Sequence, residues 1–213
     1  MLAVLAAEGV TAQNPAVTVR FANPQFDGTA GTYRLDVEFQ SSAPNQQLFG
    51  MNVRFYYDDA VLEFDSFSAF QSGYGPVSPN PPAITTASPA SGPAMFGLAG
   101  AAEYVNGAVQ LVNPSAGPLY LATSGWTKLF TVCFMVVDPA AAETAFCPTV
   151  IWDLKSNPAE GGFLPGSNGV VITLVSSPPA ESAPADEQAV HYANAVGMPY
   201  GYPTAETCVE PKR

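Results

Sequence analysis

The feature that most restricts the fold of this chain is a period of two in its apolar residues. In the segment TYRLDVEFQ, residues 32–40, the apolar side chains occupy every second position, Tyr33, Leu35, Val37 and Phe39. Successive side chains of a β-strand point to opposite faces of its sheet, so this pattern predicts a strand with one buried face. The same period recurs in residues 17–21 and 51–57. We therefore expect an all-β fold.

Composition supports many short strands and little helix. The 213 residues include 21 prolines and 18 glycines, and both residue types are unfavourable inside helices. Three segments are almost uniformly apolar, as expected for central strands, at residues 126–138, 149–154 and 169–175. Single domains of this length are common among all-β proteins. The expected architecture is an antiparallel β-sandwich with one brief helical turn in residues 139–146.

Turn-forming residues are expected to divide these strands. Asn106-Gly107 lies between two apolar arms, and this dipeptide predicts a tight hairpin because both residues adopt positive φ values easily. Residues 71–93 are rich in proline and serine and are expected to form a surface excursion at one end of the sandwich. Residues 176–187 have a similar composition and are interpreted as an extended linker.

The charge of the chain excludes one class of partner. Seven Lys and Arg residues stand against 18 Asp and Glu residues, which gives a formal net charge of -11. Such a chain repels phosphate backbones and anionic lipid surfaces, so nucleic acid is not expected as a partner. No apolar run after the N-terminus approaches the ~18 residues of a membrane helix, so no membrane span is expected.

The first 14 residues have two interpretations. The run from Leu2 to Ala7 is apolar, and Val-Thr-Ala before Gln13 is a pattern that signal peptidase cuts, although a basic region is missing. Alternatively the segment remains in the mature protein, and it inserts into an open sheet edge of a neighbouring copy. Filaments would then grow by N-terminal strand donation. The assembly contacts in that case are Leu2, Val4 and Leu5.

Cys133, Cys147 and Cys208 allow one disulfide and leave one thiol. Three cysteines with a single histidine and no Cys-x-x-Cys spacing do not make a zinc site, and no metal site is expected. We favour a bridge between Cys147 and Cys208, because it would fix the Pro-rich C-terminal tail to the body. A disulfide implies an oxidising compartment, so we expect a secreted or cell-surface protein.

Asp58 and Asp59 follow an alternating segment and precede Ala-Val-Leu-Glu-Phe. Aspartates favour turns because their carboxylates accept hydrogen bonds from nearby backbone amides. The functional alternatives are acid/base catalysis, with Glu63 as a further surface carboxylate, or a calcium site, which needs more oxygen ligands at suitable spacing. No Asp-x-Asp-x-Asp-Gly loop is present, so we interpret both aspartates as structural.

No other residue pattern indicates catalysis. His191 is the only histidine and has no nucleophile motif nearby, so no catalytic residue, no enzymatic activity and no cofactor are expected. Trp126 and Trp152 occur in strongly apolar segments and are assigned to the core. The candidate partner contacts are three tyrosines next to glycine or proline, Tyr74, Tyr200 and Tyr202.

Three segments together resemble cohesin modules of secreted bacterial proteins. They are FYYDDAVLEF at residues 55–64, TYRLDVEFQS at 32–41 and WTKLFTVCFMVVD at 126–138. The resemblance implies a jelly-roll β-sandwich, a fold shared with carbohydrate-binding modules, activity by binding, and a Tyr-Asp pair that closes a turn. The resulting division is an N-terminal segment at residues 1–14, the sandwich at 15–175, and a linker and tail packed back on it at 176–213.

Two functions follow as expectations. The first is a non-enzymatic extracellular structural or adhesive protein that acts through protein–protein contacts, with copies of itself as partners. The alternative, implied by the resemblance, is a bacterial recognition module for a dockerin-like peptide or a glycan. The chain departs from cohesins in its Pro-rich loop, its three cysteines and its tail, which favours the first function.

Overall fold

The computed structural model describes residues 17–77, 82–86, 103–142, 146–152, 170–175, 186–189, 191–192 and 209. These residues form β-strands and two short 3-10 helices, Pro114–Ala116 and Pro139–Ala142. The strands are β1 Val17–Asp27, β2 Thr32–Ser41, β3 Gln47–Tyr57, β4 Leu62–Ser68, β5 Tyr74–Pro76, β6 Ala83–Thr86, β7 Glu103–Leu111, β8 Leu119–Tyr120, β9 Thr127–Val136, β10 Val150–Trp152, β11 Val170–Val175, β12 Asp186–Ala189 and β13 His191–Tyr192.

The strands form two sheets. Sheet A has the order β13-β1-β2-β9-β4, and sheet B has the order β12-β11-β3-β7-β5, with β8 and β10 also on β3 and β6 also on β7. The pairings are antiparallel apart from that of β1 with β13, which is parallel. The expected antiparallel jelly-roll sandwich is thereby confirmed. Within the described part of the chain, no helix is long and apolar enough to cross a membrane.

The core lies between the sheets and is rich in aromatic rings. The alternating residues of β2 point into it as expected, since Tyr33, Leu35, Val37 and Phe39 are all fully buried. Phe55 of sheet B lies 5.5 Å, centroid to centroid, from Phe21 of sheet A. Trp152 stacks on Phe21 at 3.9 Å, which confirms its assignment to the core. Edge-to-face and stacked contacts of this kind stabilise a core beyond the area they bury.

The prediction of a hairpin at Asn106-Gly107 is wrong, because β7 runs through both residues without a turn. Asn106 pairs with Arg54 and Gly107 pairs with Val53, in one uninterrupted register with β3. A Cβ on Gly107 would lie 2.9 Å from the ring of Phe67. The glycine therefore makes room for an aromatic side chain of the facing sheet. The excursion expected at residues 71–93 also contains strands, since β5 and β6 both pair with β7.

The outer edges of sheet A are irregular. At one edge β4 pairs with β9, and a bulge separates the pairs of Phe64 and Ser66. On the other side, beyond the two residues that β13 covers, β1 has a bulge between Ala22 and Gln25, and within it Asn23 adopts a φ of 49°. Bulges of this kind twist an edge strand and make it a poor template for further strands.

Residues from the predicted linker and tail complete both sheets. β12 pairs with β11 in sheet B, and β13 pairs with β1 in sheet A. Farther along, Phe146 and Val209 form an isolated antiparallel bridge. These pairings attach parts of the tail to the sandwich, while the limits of the three segments stay a prediction.

Candidate interaction surface

The outer face of sheet B carries a group of large polar side chains, which we call the Tyr/Arg face: Asn52, Arg54, Tyr104 and Asn106. Residues paired directly across two strands point to the same side, and the register joins Arg54 with Asn106 and Tyr56 with Tyr104. Their neighbours along the strands, such as Val53 and Val105, are fully buried in the core. The Tyr/Arg face therefore lies on two central strands that the core holds in place.

Contacts within the Tyr/Arg face orient its side chains. The guanidinium carbon of Arg54 lies over the ring of Tyr104, 5.0 Å from the ring centroid. The edge of Tyr104 packs on Tyr56 at 5.6 Å. The period of two in residues 51–57 predicts that Tyr56 lies on the outer face with Arg54, but Tyr56 is only 1% exposed. It serves as a buried support for Tyr104, so Arg54 and Tyr104, which are partly exposed, sit on a buried aromatic base.

Three exposed apolar side chains lie at the end of the same sheet, and we call them the apolar corner: Phe49, Val112 and Tyr120. They are 40%, 51% and 60% exposed respectively. Phe49 reaches the surface because the register of β3 with β11 shifts at this point, so that Leu48 and Met51 both face the core. Tyr120 lies on β8 opposite Gln47. The sheet thus offers apolar area beside the polar Tyr/Arg face.

The outer face of sheet A is also polar, and four of its charged side chains pair with one another, Arg20, Glu38, Asp36 and Lys128. Arg20 donates to Glu38 at 2.9 Å, and Lys128 forms an ion pair with Asp36 at 2.7 Å. Asn23 donates to both carboxylates, at 3.1 Å to Asp36 and 3.0 Å to Glu38. Glu38 is only 7% exposed as a result. A network in which the groups satisfy one another stabilises the sheet and leaves little for a partner.

Trp126 belongs to this outer face rather than to the core, so the core assignment made for it is wrong. The residue is partly exposed and precedes β9, and the guanidinium carbon of Arg20 lies 4.1 Å from its ring centroid. The apolar residues that follow Trp126 in sequence are core residues of β9, in which Leu129 and Phe130 are fully buried. The cation over the ring ties Trp126 to the ion pairs of sheet A.

Asp58 begins the turn between β3 and β4. Its side chain accepts a hydrogen bond from the amide of Ala60 at 3.1 Å, and its backbone oxygen accepts from Leu62 at 2.9 Å. Burial raises the pKa of Asp58 above its ordinary value, and the charge of Asp59 adds to this effect, while the bond from Ala60 opposes it. These contacts support the interpretation of Asp58 as a turn residue.

Asp58 also borders a cavity of about 260 Å³ at this end of the sandwich. Its walls include Val61, Val136 and Phe146, and Asp138 is the second carboxylate at the rim. Asp138 accepts a hydrogen bond from the amide of Ala140 at 3.1 Å, as expected for a residue that begins a helical turn. Among the described residues no group of three potential metal ligands comes together.

Tyr74 is not an exposed partner contact, as was expected from its glycine neighbours. It is 6% exposed, and its hydroxyl donates to the backbone oxygen of Leu48 and accepts from the amide of Leu119 at 2.8 Å. Burial raises its pKa. Gly73, with a φ of 86°, allows the chain to turn so that the ring enters the core. The other candidate contacts, Tyr200 and Tyr202, and the assembly contacts Leu2, Val4 and Leu5 lie outside the described residues.

Two of the three cysteines lie among the described residues, and one is buried while the other is exposed. Cys133 is a free cysteine on β9, and its sulfur lies 3.0 Å from the hydroxyl of Ser68. Cys147 is exposed and directly follows Phe146, which pairs with Val209. Cys208 lies outside the described residues, so the bridge between Cys147 and Cys208 stays a prediction.

The sequence did not predict three of these surface residues, Tyr104, Asn106 and Phe49. A usable signal was present, because Val105, Val109 and Leu111 continue a period of two through Asn106-Gly107. That period predicts one strand, with Tyr104 and Asn106 on its outer side. The shift that exposes Phe49 depends on the partner strand β11 and has no local signal.

Comparisons with known proteins give a likeness of fold. No known protein family and no curated protein matches the sequence. Among solved structures, the chain is similar to the seventh ScaB type I cohesin from Pseudobacteroides cellulosolvens, with a TM-score of 0.42 and 9% identity, over 83% of this chain and 87% of that one. It is also similar to a type II cohesin domain from the cellulosome of Acetivibrio cellulolyticus, with a TM-score of 0.41 and 10% identity, over 84% and 92%. A non-cellulosomal cohesin from Archaeoglobus fulgidus aligns at 12% identity with a TM-score of 0.35, over 83% and 86%.

Proposed function

We propose that this protein is a non-enzymatic extracellular protein that acts through protein–protein contacts, with the Tyr/Arg face as its contact surface. The observation that carries the proposal is the stack of Arg54 on Tyr104, which is itself supported by buried Tyr56. Tyrosine and arginine are enriched at the centres of protein interfaces, because they combine large contact area with directed hydrogen bonds. Side chains held before binding lose little conformational entropy when a partner arrives.

The geometry supports a protein partner better than a glycan. A sugar ring stacks on an aromatic face that is open, whereas the guanidinium of Arg54 already lies over one face of Tyr104. The other large groups of the face are amides, Asn52 and Asn106, which can pair with backbone groups of a peptide or protein. The apolar corner at the end of the same sheet adds apolar area, which protein contacts bury at their centre.

An extracellular, bacterial location completes the proposal. The extracellular part rests on the predicted bridge between Cys147 and Cys208, which requires an oxidising compartment, and the bacterial part on the resemblance of residues 32–41, 55–64 and 126–138 to cohesin modules of secreted bacterial proteins. Mass spectrometry of the protein secreted into the medium tests this part, because an intact Cys147–Cys208 peptide is expected there. Recovery of the protein only from the cytosol, with both thiols reduced, would contradict it.

The contact surface is tested with a photo-crosslinking residue placed at Asn52, in protein added to intact cells of the source organism. We expect one or a few protein adducts there, and their loss when Arg54→Ala and Tyr104→Ala are introduced. The matched control carries the same crosslinker at exposed Glu63 on sheet A and should give none of these adducts. Equal adducts from both positions, or adducts unaffected by the two substitutions, would rule out the Tyr/Arg face.

Filament assembly by N-terminal strand donation is the second candidate function. One observation favours it: β13 pairs only with Thr18 and Val19, and on the side of β1 away from β2 no other described strand pairs with residues 20–27. The bulge at Asn23 limits the length of a strand that could be added there. If Met1 is retained, deletion of residues 1–12 should convert filaments to monomers in electron micrographs and sedimentation. Filaments of the truncated protein would exclude donation.

A further inference from the structure

We propose that the cavity beside Asp58 and Asp138 binds a small organic cation, an ammonium group on a short apolar stem. The cavity has a volume of about 260 Å³ and lies between three segments, the turn from β3 to β4, the end of β9, and residues 146–148 before β10. Pockets for drug-sized ligands measure roughly 300–1,000 Å³, so this one suits a smaller molecule. Its walls are apolar and its rim carries the two carboxylates, which is the pattern that such a cation would match.

Backbone hydrogen bonds hold the three segments around the cavity together. The amide of Asp58 donates to the backbone oxygen of Thr149 at 2.9 Å, which joins the β3–β4 turn to the segment before β10. The amide of Val137 donates to the backbone oxygen of Val61 at 3.0 Å, which joins the end of β9 to the same turn. The cavity is therefore formed before a ligand arrives, and binding would order little of the chain.

The apolar wall of the cavity is anchored in the core. Val136, Phe146 and Pro148 are buried, and the ring of Phe146 packs on the ring of Phe26 at a centroid distance of 5.1 Å. Val61 adds a partly buried apolar side chain from the turn. An apolar stem placed against these side chains leaves water, which favours binding. A charged group without a stem would gain nothing from this wall.

The carboxylates favour a cation at the rim. Each of them accepts a hydrogen bond from a backbone amide, Asp58 from Ala60 at 3.1 Å and Asp138 from Ala140 at 3.1 Å, and these bonds fix their orientation. Burial raises the pKa of Asp58, and the charge of Asp59 adds to this effect. Both effects disfavour the ionised form of Asp58, so a cation beside it would offset them. The formal net charge of -11 also attracts cations to the chain.

The same residues suit an organic cation better than a metal ion. Calcium takes roughly six to eight oxygen ligands, and most of the lining here consists of apolar side chains. An ammonium group needs fewer partners, because its three donors can be shared between carboxylates and water.

This proposal does not depend on the Tyr/Arg face, because none of the four residues of that face lines the cavity. Arg54→Ala should therefore leave binding of the cation unchanged. Failure of the crosslinking at Asn52 and failure of cation binding can be told apart for the same reason.

Titration of the isotope-labelled, full-length protein with hexylammonium, followed by nuclear magnetic resonance at constant ionic strength and neutral pH, tests the site. We expect saturable shifts of the Ala60 and Ala140 amide signals, because these amides donate to the two carboxylates. Asp58→Asn keeps an oxygen that can accept from Ala60 but removes the charge, and it should weaken binding at least about fivefold. The matched control is Asp59→Asn, which removes an exposed charge that does not line the cavity and should change the affinity less than about twofold.

Two further probes separate charge from stem. Hexanoate has the same stem with a negative charge, methylammonium has the same charge without the stem, and neither should saturate in the concentration range of hexylammonium. Ala60→Leu places a larger side chain at the exposed mouth of the cavity and should abolish binding without changing the circular dichroism spectrum. The proposal is overturned if hexylammonium gives no saturable shift, if methylammonium binds equally well, or if Asp58→Asn and Asp59→Asn bind hexylammonium with the same affinity.

Discussion

The hydroxyl of Tyr74 joins two strands that are far apart in sequence, because it accepts a hydrogen bond from the amide of Leu119 at 2.8 Å and donates to the backbone oxygen of Leu48. Tyr74 begins β5, Leu48 is in β3 and Leu119 begins β8. One buried side chain therefore satisfies two backbone groups at the place where β8 meets β3. The ring below the hydroxyl is part of the core.

Tyr74→Phe should keep the ring and remove both hydrogen bonds. Because it leaves two backbone groups without this partner, we expect a loss of about 2 kcal/mol in the free energy of unfolding. Urea denaturation followed by tryptophan fluorescence measures the loss. Tyr120→Phe is the control, since Tyr120 is 60% exposed and should change stability by less than about 0.5 kcal/mol. Equal stability of the two variants would contradict the role given to Tyr74.

Gly107→Ala should destabilise the protein by about 1–3 kcal/mol, because the new Cβ would press on the ring of Phe67 at 2.9 Å. Thermal unfolding by circular dichroism measures the effect. Gly28→Ala is the matched control, as the nearest atoms there lie at 3.6 Å and belong to the ring of Phe26. The double variant Gly107→Ala with Phe67→Leu should recover part of the loss. An unchanged melting temperature for Gly107→Ala would argue against the packing described for β7.

Asp58→Asn should flatten the pH dependence of stability at acidic pH. Burial raises the pKa of Asp58, so between the ordinary value of about 3.9 and the higher folded value the native state binds more protons than the unfolded state. The contribution of Asp58 to stability therefore falls as pH rises through that window and is then constant. The asparagine retains an oxygen that can accept from Ala60 and removes the titration. Urea unfolding from about pH 4 to about pH 7 measures the difference.

Two further variants separate charge from hydrogen bonding at this turn. Asp58→Ala removes the acceptor for the Ala60 amide, and we expect it to be less stable than Asp58→Asn by about 1 kcal/mol at neutral pH. Asp59→Asn changes an exposed carboxylate and should leave the stability at neutral pH within about 0.5 kcal/mol. A pH profile identical in Asp58→Asn and the natural protein would show that the titration belongs to another group.

Cys147 and Cys208 should be linked in the protein as secreted. Phe146 and Val209 exchange two backbone hydrogen bonds, at 3.0 and 2.9 Å. In an antiparallel pair the next residues face each other at a Cα separation of about 4.5 Å, which suits a disulfide. Peptide mapping without reduction should find the two cysteines in one linked peptide. Cys208→Ser should cost about 2–4 kcal/mol by releasing the closed loop. Alkylation of both thiols in unreduced protein would disprove the bridge.

The sequence predicted the fold where burial alone decides the local structure. In β2 and β9 the side chains facing the core are apolar, so the period of two, or the continuous apolar run, is visible without knowledge of the partner strand. The hairpin prediction at Asn106-Gly107 failed because, from local sequence, a glycine that makes room for a ring cannot be distinguished from a glycine that permits a turn. The cause, Phe67, is on a strand of the opposite sheet.

The candidate surface was less predictable than the fold. Glycine neighbours suggested that Tyr74 is exposed, yet its ring is buried because β3 and β8 supply partners for the hydroxyl. Tyr56 points outward in the alternation, but it is only 1% exposed, and the edge of Tyr104 packs on its ring. Which outward side chains remain accessible depends on contacts between distant segments, and alternation in one strand contains no information about them.

Strand β4, whose only partner among the described residues is β9, affects the behaviour of the protein in solution. Glu63 and Asp65 are exposed on this strand, and the bulge lies between the pairs on either side of Asp65. Charged side chains on an edge strand deter the addition of a strand from another copy. The isoelectric point of the chain is near 4.2, so the net negative charge that keeps copies apart disappears in a medium of that acidity. We therefore expect the protein to be sparingly soluble there, with copies first meeting along the edge of β4.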